Sequence, residues 1–114
     1  MDPGHARELL ARERARVERE LAELREPPPD EELAHVDQHP AEIATELFDR
    51  ELEDTLRIRL EEELRAIERA EKRLEEGTYG LSVESGEPIP DERLELIPWA
   101  ERTAEEQQRY ELTV

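Results

Sequence analysis

The chain has no cysteine among its 114 residues, so it can form neither a disulfide nor a thiolate metal site. Its stability must come from packing and helix caps. Apolar residues are also in short supply, at 35% against 43% charged, which leaves little material for a deep core and favours a thin, elongated architecture. No window approaches the roughly 20 apolar residues of a membrane span. The opening stretch MDPGHARELL lacks the basic-then-apolar order of a signal peptide, so no membrane partner and a cytoplasmic location are expected. Basic residues are outnumbered, 16 against 33 acidic, for a net charge of −17. That charge repels phosphate backbones, and no Lys/Arg stripe stands apart from the surrounding Glu, which argues against direct nucleic-acid contact. There is no Ser-His-Asp set, no Gly-rich phosphate loop and no nucleophilic Cys, and carboxylate pairs are uninformative in so acidic a chain, so no catalytic residues are assigned.

What the chain has is helix. From Ala6 to Glu26 it is rich in Arg, Glu, Leu and Ala, and Leu10, Val17, Leu21 and Leu24 fall at coiled-coil spacings of seven, four and three. Pro27, Pro28 and Pro29 remove consecutive amide donors and stop this helix. A short helical turn can start at Asp30 and run through Val36. Asp37-Gln38-His39-Pro40 then reads as a turn, with Pro40 suited to the first position of a new helix. From Ala41 to Glu76 no Gly or Pro interrupts, and Ile43, Leu47, Leu52, Leu56, Leu60, Leu64, Ile67 and Leu74 recur at mostly helical intervals. The four-residue spacing from Leu52 to Leu64 drifts from strict heptads, which speaks against a regular supercoil there. At the standard rise the two helices are about 31 and about 54 Å long. Laid antiparallel, Leu10 should meet the Leu74 region and Leu24 the Leu60 region, with residues 37–44 at the far tip. His35 and His39 are four apart, but the turn before Pro40 does not keep them on one helical face, which argues against a metal pair.

Gly77 ends the second helix as a left-handed cap. Beyond it Tyr79, Leu81 and Val83 alternate, Ser85-Gly86 signals a turn, and residues 87–90 can return as a second short strand. Asp91 to Leu96 reads as one or two helical turns closed by Pro98, and Thr103-Ala104-Glu105-Glu106 fits a capping box opening a terminal helix through Tyr110. The expectation is a mainly α chain: a long antiparallel helical hairpin over residues 1–76, then a small module over residues 77–114.

The segment GTYGLSVESGEPIPDERLELIPWAERTAEEQ carries the most specific pattern. It resembles the four-cysteine zinc finger of the bacterial DksA/TraR family, GTYGxCxxCGxxIPxxRLxxxPxxxxCxxCQ. Gly77, Thr78, Tyr79, Gly80, Gly86, Ile89, Pro90, Arg93, Leu94, Pro98 and Gln107 match in place. The four positions that hold cysteine in the family are Ser82, Ser85, Thr103 and Glu106, at the spacing of a CxxC, seventeen residues, CxxC zinc site. The run DQHPAEIATELFDRE also resembles the hairpin tip of a DksA-like subgroup typical of Gram-positive bacteria.

This resemblance implies zinc in the family, yet hydroxyls are poor neutral ligands and one carboxylate cannot replace four sulfurs, so no cofactor is expected here. A structural zinc supplies on the order of 10 kcal/mol and a helix cap about 1. Burial of Leu81, Val83, Ile89, Leu94, Ile97 and Trp99, at about 2 kcal/mol each, is the expected replacement, with Thr103 and Glu106 reused as the ends of the capping box. Tyr79, Trp99 and Tyr110 are expected to pack within the knob. The resemblance also implies a partner. In the family the hairpin enters the secondary channel of bacterial RNA polymerase and sets tip residues beside the active site without touching DNA. The family's tip pattern DxxDxA falls on His39-Pro40-Ala41-Glu42-Ile43-Ala44: the first acid is His39, the second a longer Glu42, the alanine is kept as Ala44, and an acid stands nearby at Asp37. The expected function is therefore an RNA polymerase-binding transcription regulator with its partner-binding tip at Asp37, His39, Glu42 and Ala44. A stress-related scaffold that kept the fold for another partner is the alternative, and a metal-dependent protein the third.

Overall fold

The structure, a computed structural model, describes residues 1–24 and 40–113, with side chains given outside 40–43. The expectations for Pro27 to Pro29, for the turn from Asp30 to Val36 and for the tip residues Asp37 and His39 lie outside the described residues. Four helices occur among the described ones: α1 (Pro3–Glu23), α2 (Pro40–Glu76), α3 (Asp91–Leu96) and α4 (Ala104–Thr113). The molecule measures 58 × 31 × 20 Å, elongated as so small an apolar fraction requires.

Helix α1 begins three residues before the expected Ala6. The Asp2 carboxylate accepts the N–H of His5 at 2.9 Å and Pro3 occupies the first turn, a cap that the Asp-Pro pair encodes. The helix also ends sooner than Glu26. Leu24 is already extended, and its N–H closes a tight turn onto the Leu21 carbonyl at 3.3 Å. Helix α2 starts at Pro40 as expected. At its other end Gly77, at φ +82°, lets the Thr78 N–H reach the Arg73 carbonyl at 2.9 Å and the Gly77 N–H reach Leu74, closing a Schellman motif.

The two long helices pack antiparallel in the expected register. Leu10 and Val17 of α1 form one buried cluster with Leu60, Ile67 and Ala70 of α2, flanked by Leu21, Leu24, Leu64 and Leu74. Arg14 reaches across to Glu71 and Arg16 to Glu63, fixing the same alignment from outside. These half-exposed pairs contribute little energy but would be lost on a slip of register. The apolar repeat of α2 does not all become core. Leu47, Phe48, Leu52 and Leu56 are exposed, because the described part of α1 ends level with Leu60 and about 30 Å of α2 extends past it.

After Gly77 the chain folds into a knob. The two short strands expected from the alternation reduce to a single antiparallel bridge between Leu81 and Pro88, with Ser82 N–H donating to Glu87 and Ile89 N–H to Gly80. Pro88 and Pro90 have no amide proton, so the ladder cannot lengthen. The expected core is also corrected. Ile89 and Leu94 are buried, with Ala100, Tyr79 and Ile97 against them, but Leu81 and Val83 are 39% and 48% exposed. Ser82 between them points inward and is 5% exposed. Trp99 is half-buried and packs on the hairpin cluster, so it joins the knob to the stem instead of filling the knob. Tyr110 is largely exposed, its ring 3.9 Å beneath the Arg102 guanidinium.

Candidate functional site

Two regions carry the residues that the sequence singles out. At the end of α2 opposite the knob, the opening turns carry Glu42, whose side chain is outside the description, and Ala44, which is exposed. Asp37 and His39 precede the described part of this helix.

The second region is the finger frame, where Ser82, Ser85, Thr103 and Glu106 come together. Ser82 and Ser85 lie on the turn closed by Gly86, whose N–H donates to the Ser82 carbonyl at 2.9 Å. Thr103 and Glu106 open α4. The expected capping box is present in both directions: Thr103 N–H donates to Glu106 Oε1 at 2.9 Å, and Glu106 N–H to Thr103 Oγ1 at 3.2 Å. Glu106 is only 7% exposed, and its carboxyl is held down at about 2 by hydrogen bonds from the Ser82 hydroxyl, the Thr103 backbone and the Ser85 hydroxyl.

These residues do not fit zinc. Ser82 Oγ already accepts the N–H groups of Glu84 and Ser85 at 3.1 and 3.2 Å, Ser85 Oγ accepts that of Glu87 at 3.3 Å, and Thr103 Oγ1 that of Glu106. Three engaged neutral hydroxyls and one carboxylate are a poor donor set for a metal that prefers thiolate and imidazole. No group of three or more metal-ligating side chains of His, Cys, Asp or Glu occurs among the described residues.

A third contact set has no motif to announce it. Glu101, just before the Thr103 cap, accepts Arg69 Nη2 at 2.8 Å and Arg69 Nε at 3.2 Å in a bidentate pair, and Arg73 Nη1 at 3.4 Å. Burial pushes Arg73 below its ordinary pKa, against the pull of Glu101. Burial also acts to raise Glu101, but the hydrogen bond from Arg69 and the charges of Arg69 and Arg73 prevail, leaving it below its usual range. The Glu101 carbonyl takes the Val83 N–H at 2.9 Å, so one residue ties both halves of the knob to α2. Arg69 and Arg73 stand one turn apart on one face of α2, the only hint of this clamp in the sequence.

Comparison with known proteins agrees with this geometry. Residues 77–112 match the prokaryotic dksA/traR C4-type zinc finger. The chain is 47% identical over 74 residues to the uncharacterized protein YteA of Bacillus subtilis, covering 65% of this chain and 31% of that protein. It is 41% identical over 71 residues to the RNA polymerase-binding transcription factor DksA of Caulobacter vibrioides, covering 62% of this chain and 50% of that one. The chain thus spans half or less of the length of these relatives. The solved structure of transcription factor DksA2 from Pseudomonas aeruginosa superposes with a TM-score of 0.73 at 29% identity, covering 97% of this chain and 84% of that one. Helical hairpin, finger frame and sequence agree, and the chain belongs to the DksA/TraR family as a member without the zinc-binding cysteines.

Proposed function

We propose that this chain is a non-catalytic transcription regulator that binds bacterial RNA polymerase, reaches through the enzyme's secondary channel with residues 37–44, and acts without touching DNA. The observation that carries this reading is the 41% identity to an RNA polymerase-binding DksA, joined to a fold matched over 97% of the chain. The net charge of −17 supports the absence of DNA contact and favours a basic protein surface as the partner. The length of α2 beyond Leu60 supports the channel, because a narrow projection can enter a recess that a globule cannot. At the tip, Glu42 and Asp37 supply carboxylates for a basic loop or a metal-bound substrate, while His39 replaces the first acid of the family pattern.

A chain without cysteine makes the test clean, since Ala44→Cys introduces a single attachment point. Labelled there, the protein should bind purified polymerase saturably, fail to bind duplex DNA alone, and photo-crosslink to residues lining the secondary channel. Absence of saturable binding overturns the partner, and crosslinks confined to another surface of the enzyme overturn the channel.

A further inference from the structure

Two arginines compete for one carboxylate at the joint between knob and stem. Arg69 holds both oxygens of Glu101, Oε1 through Nη2 at 2.8 Å and Oε2 through Nε at 3.2 Å, while Arg73 Nη1 reaches the same Oε2 at 3.4 Å. The better bonded of the two needs the bonds less. The Arg69 side chain is 54% exposed, so water can serve its donors, whereas that of Arg73 is 13% exposed. Arg73 Nε and Nη2 are buried and have no hydrogen-bond partner among the described residues. A buried donor without an acceptor is costly, and the cost rises when the donor belongs to a cation held by one long bond.

We infer that Glu101 is a latch with two positions, the outer one on Arg69 that the structure shows and an inner one in which its second oxygen passes to Arg73 Nη2. Rotation about the Glu101 side-chain bonds makes the exchange, because Oε2 already bridges the two guanidiniums. The outer position keeps three bonds. The inner one meets a buried donor and returns Arg69 to water, and these gains oppose each other. Glu101 also accepts the Val83 N–H through its carbonyl at 2.9 Å, so a change of position is passed to the first turn of the knob. Since Arg69 is the arm that faces solvent, the outer position is the one another molecule can contest. The latch works the same way whichever partner the protein binds.

NMR of the full chain with isotope-labelled arginine reads the latch directly. In Arg69→Met the inner position is the one left to Glu101, so the Arg73 Nη protons should exchange with water more slowly than in the parent. In Arg73→Met only the outer position remains, and the Val83 amide signal should move in the opposite direction from its shift in Arg69→Met. Thermal unfolding, followed by circular dichroism and by Trp99 fluorescence, supplies a second reading. Each single variant should lie within about 2 °C of the parent, and the double variant should fall by more than the two single shifts combined, since only it leaves Glu101 without either arginine. Should the double variant fail to fold, the Arg73 and Val83 signals of the single variants still decide the matter. Arg73 protons unchanged in Arg69→Met, Val83 shifts of the same sign, or additive thermal losses would each overturn the latch.

Discussion

The phenolic hydroxyl of Tyr79 donates to the carbonyl of Pro98 at 2.8 Å, linking the first residues of the knob to the segment just after α3. Pro98 is fully buried, so its carbonyl has no easy substitute donor. Tyr79→Phe should cost about 1–3 kcal/mol in a urea titration. Burial raises the Tyr79 hydroxyl to about 12, against an ordinary value of 10. A raised value means that its contribution is fully present below the ordinary value and is lost as pH climbs from about 10 to about 12. Alkaline titration read by tyrosinate absorbance should show one phenol ionising late, and that late step should vanish in Tyr79→Phe.

The stem offers a contrast between residues of similar chemistry. Ile67 is 0% exposed at the centre of the α1–α2 seam, whereas Leu47 is 48% exposed on the overhang. Ile67→Ala should destabilise the protein by about 2–5 kcal/mol. Leu47→Ala should change stability by about half a kcal/mol or less. Denaturant midpoints at equal slope check both, and a large loss at Leu47 would mean that the overhang is covered in the free chain.

Removing Glu101 should loosen the knob from the stem. Glu101→Ala leaves Arg69 and the mostly buried Arg73 facing each other without a carboxylate, at a cost of about 2–3 kcal/mol. Since Trp99 packs on the hairpin cluster, its emission should shift to the red in this variant before the helical circular dichroism is lost.

Acid should weaken the knob through Glu106. Its carboxyl is depressed to about 2 from an ordinary 4.5, chiefly by Ser82, then by the Thr103 backbone and Ser85. A depressed value contributes fully above the ordinary one and fades as pH falls from about 4.5 towards about 2. The difference in unfolding midpoint between the parent and Glu106→Gln should accordingly shrink across that interval. A constant difference would mean that the carboxylate's charge plays no part.

At the tip, the proposed function requires that Glu42→Ala alter transcription by purified polymerase while leaving binding to the enzyme nearly intact, because it assigns docking to the knob and the outer helix faces. If the variant regulates like the parent while knob variants lose the effect, the tip is only a turn.

How much of this was legible in the sequence depended on whether a feature was periodic or relative. The pairing of Leu10 with Leu74 and of Leu24 with Leu60 follows from spacing alone, as do the start of α2 at Pro40, the Gly77 cap and the Thr103–Glu106 box. The start of α1 is encoded by Asp2-Pro3, a cap that the apolar spacing from Ala6 onward does not mark. Alternation through Leu81, Ser82 and Val83 gives a period but not a phase. The phase here turns Ser82 inward, where its hydroxyl caps the N–H groups of Glu84 and Ser85, and leaves the apolar neighbours outside. The Glu101 clamp was invisible for a related reason: in a chain with 33 acidic residues, nothing local marks the one that meets two arginines.

Helix α2 behaves mechanically as a boom whose root is fixed by Glu101, Arg69 and Arg73. It is about 55 Å long, so ten degrees of play at the root would swing the Pro40 end through about 10 Å. Three short side-chain contacts at the knob thereby set the aim of residues that touch none of them, and a partner gripping the knob would be steering the opposite end.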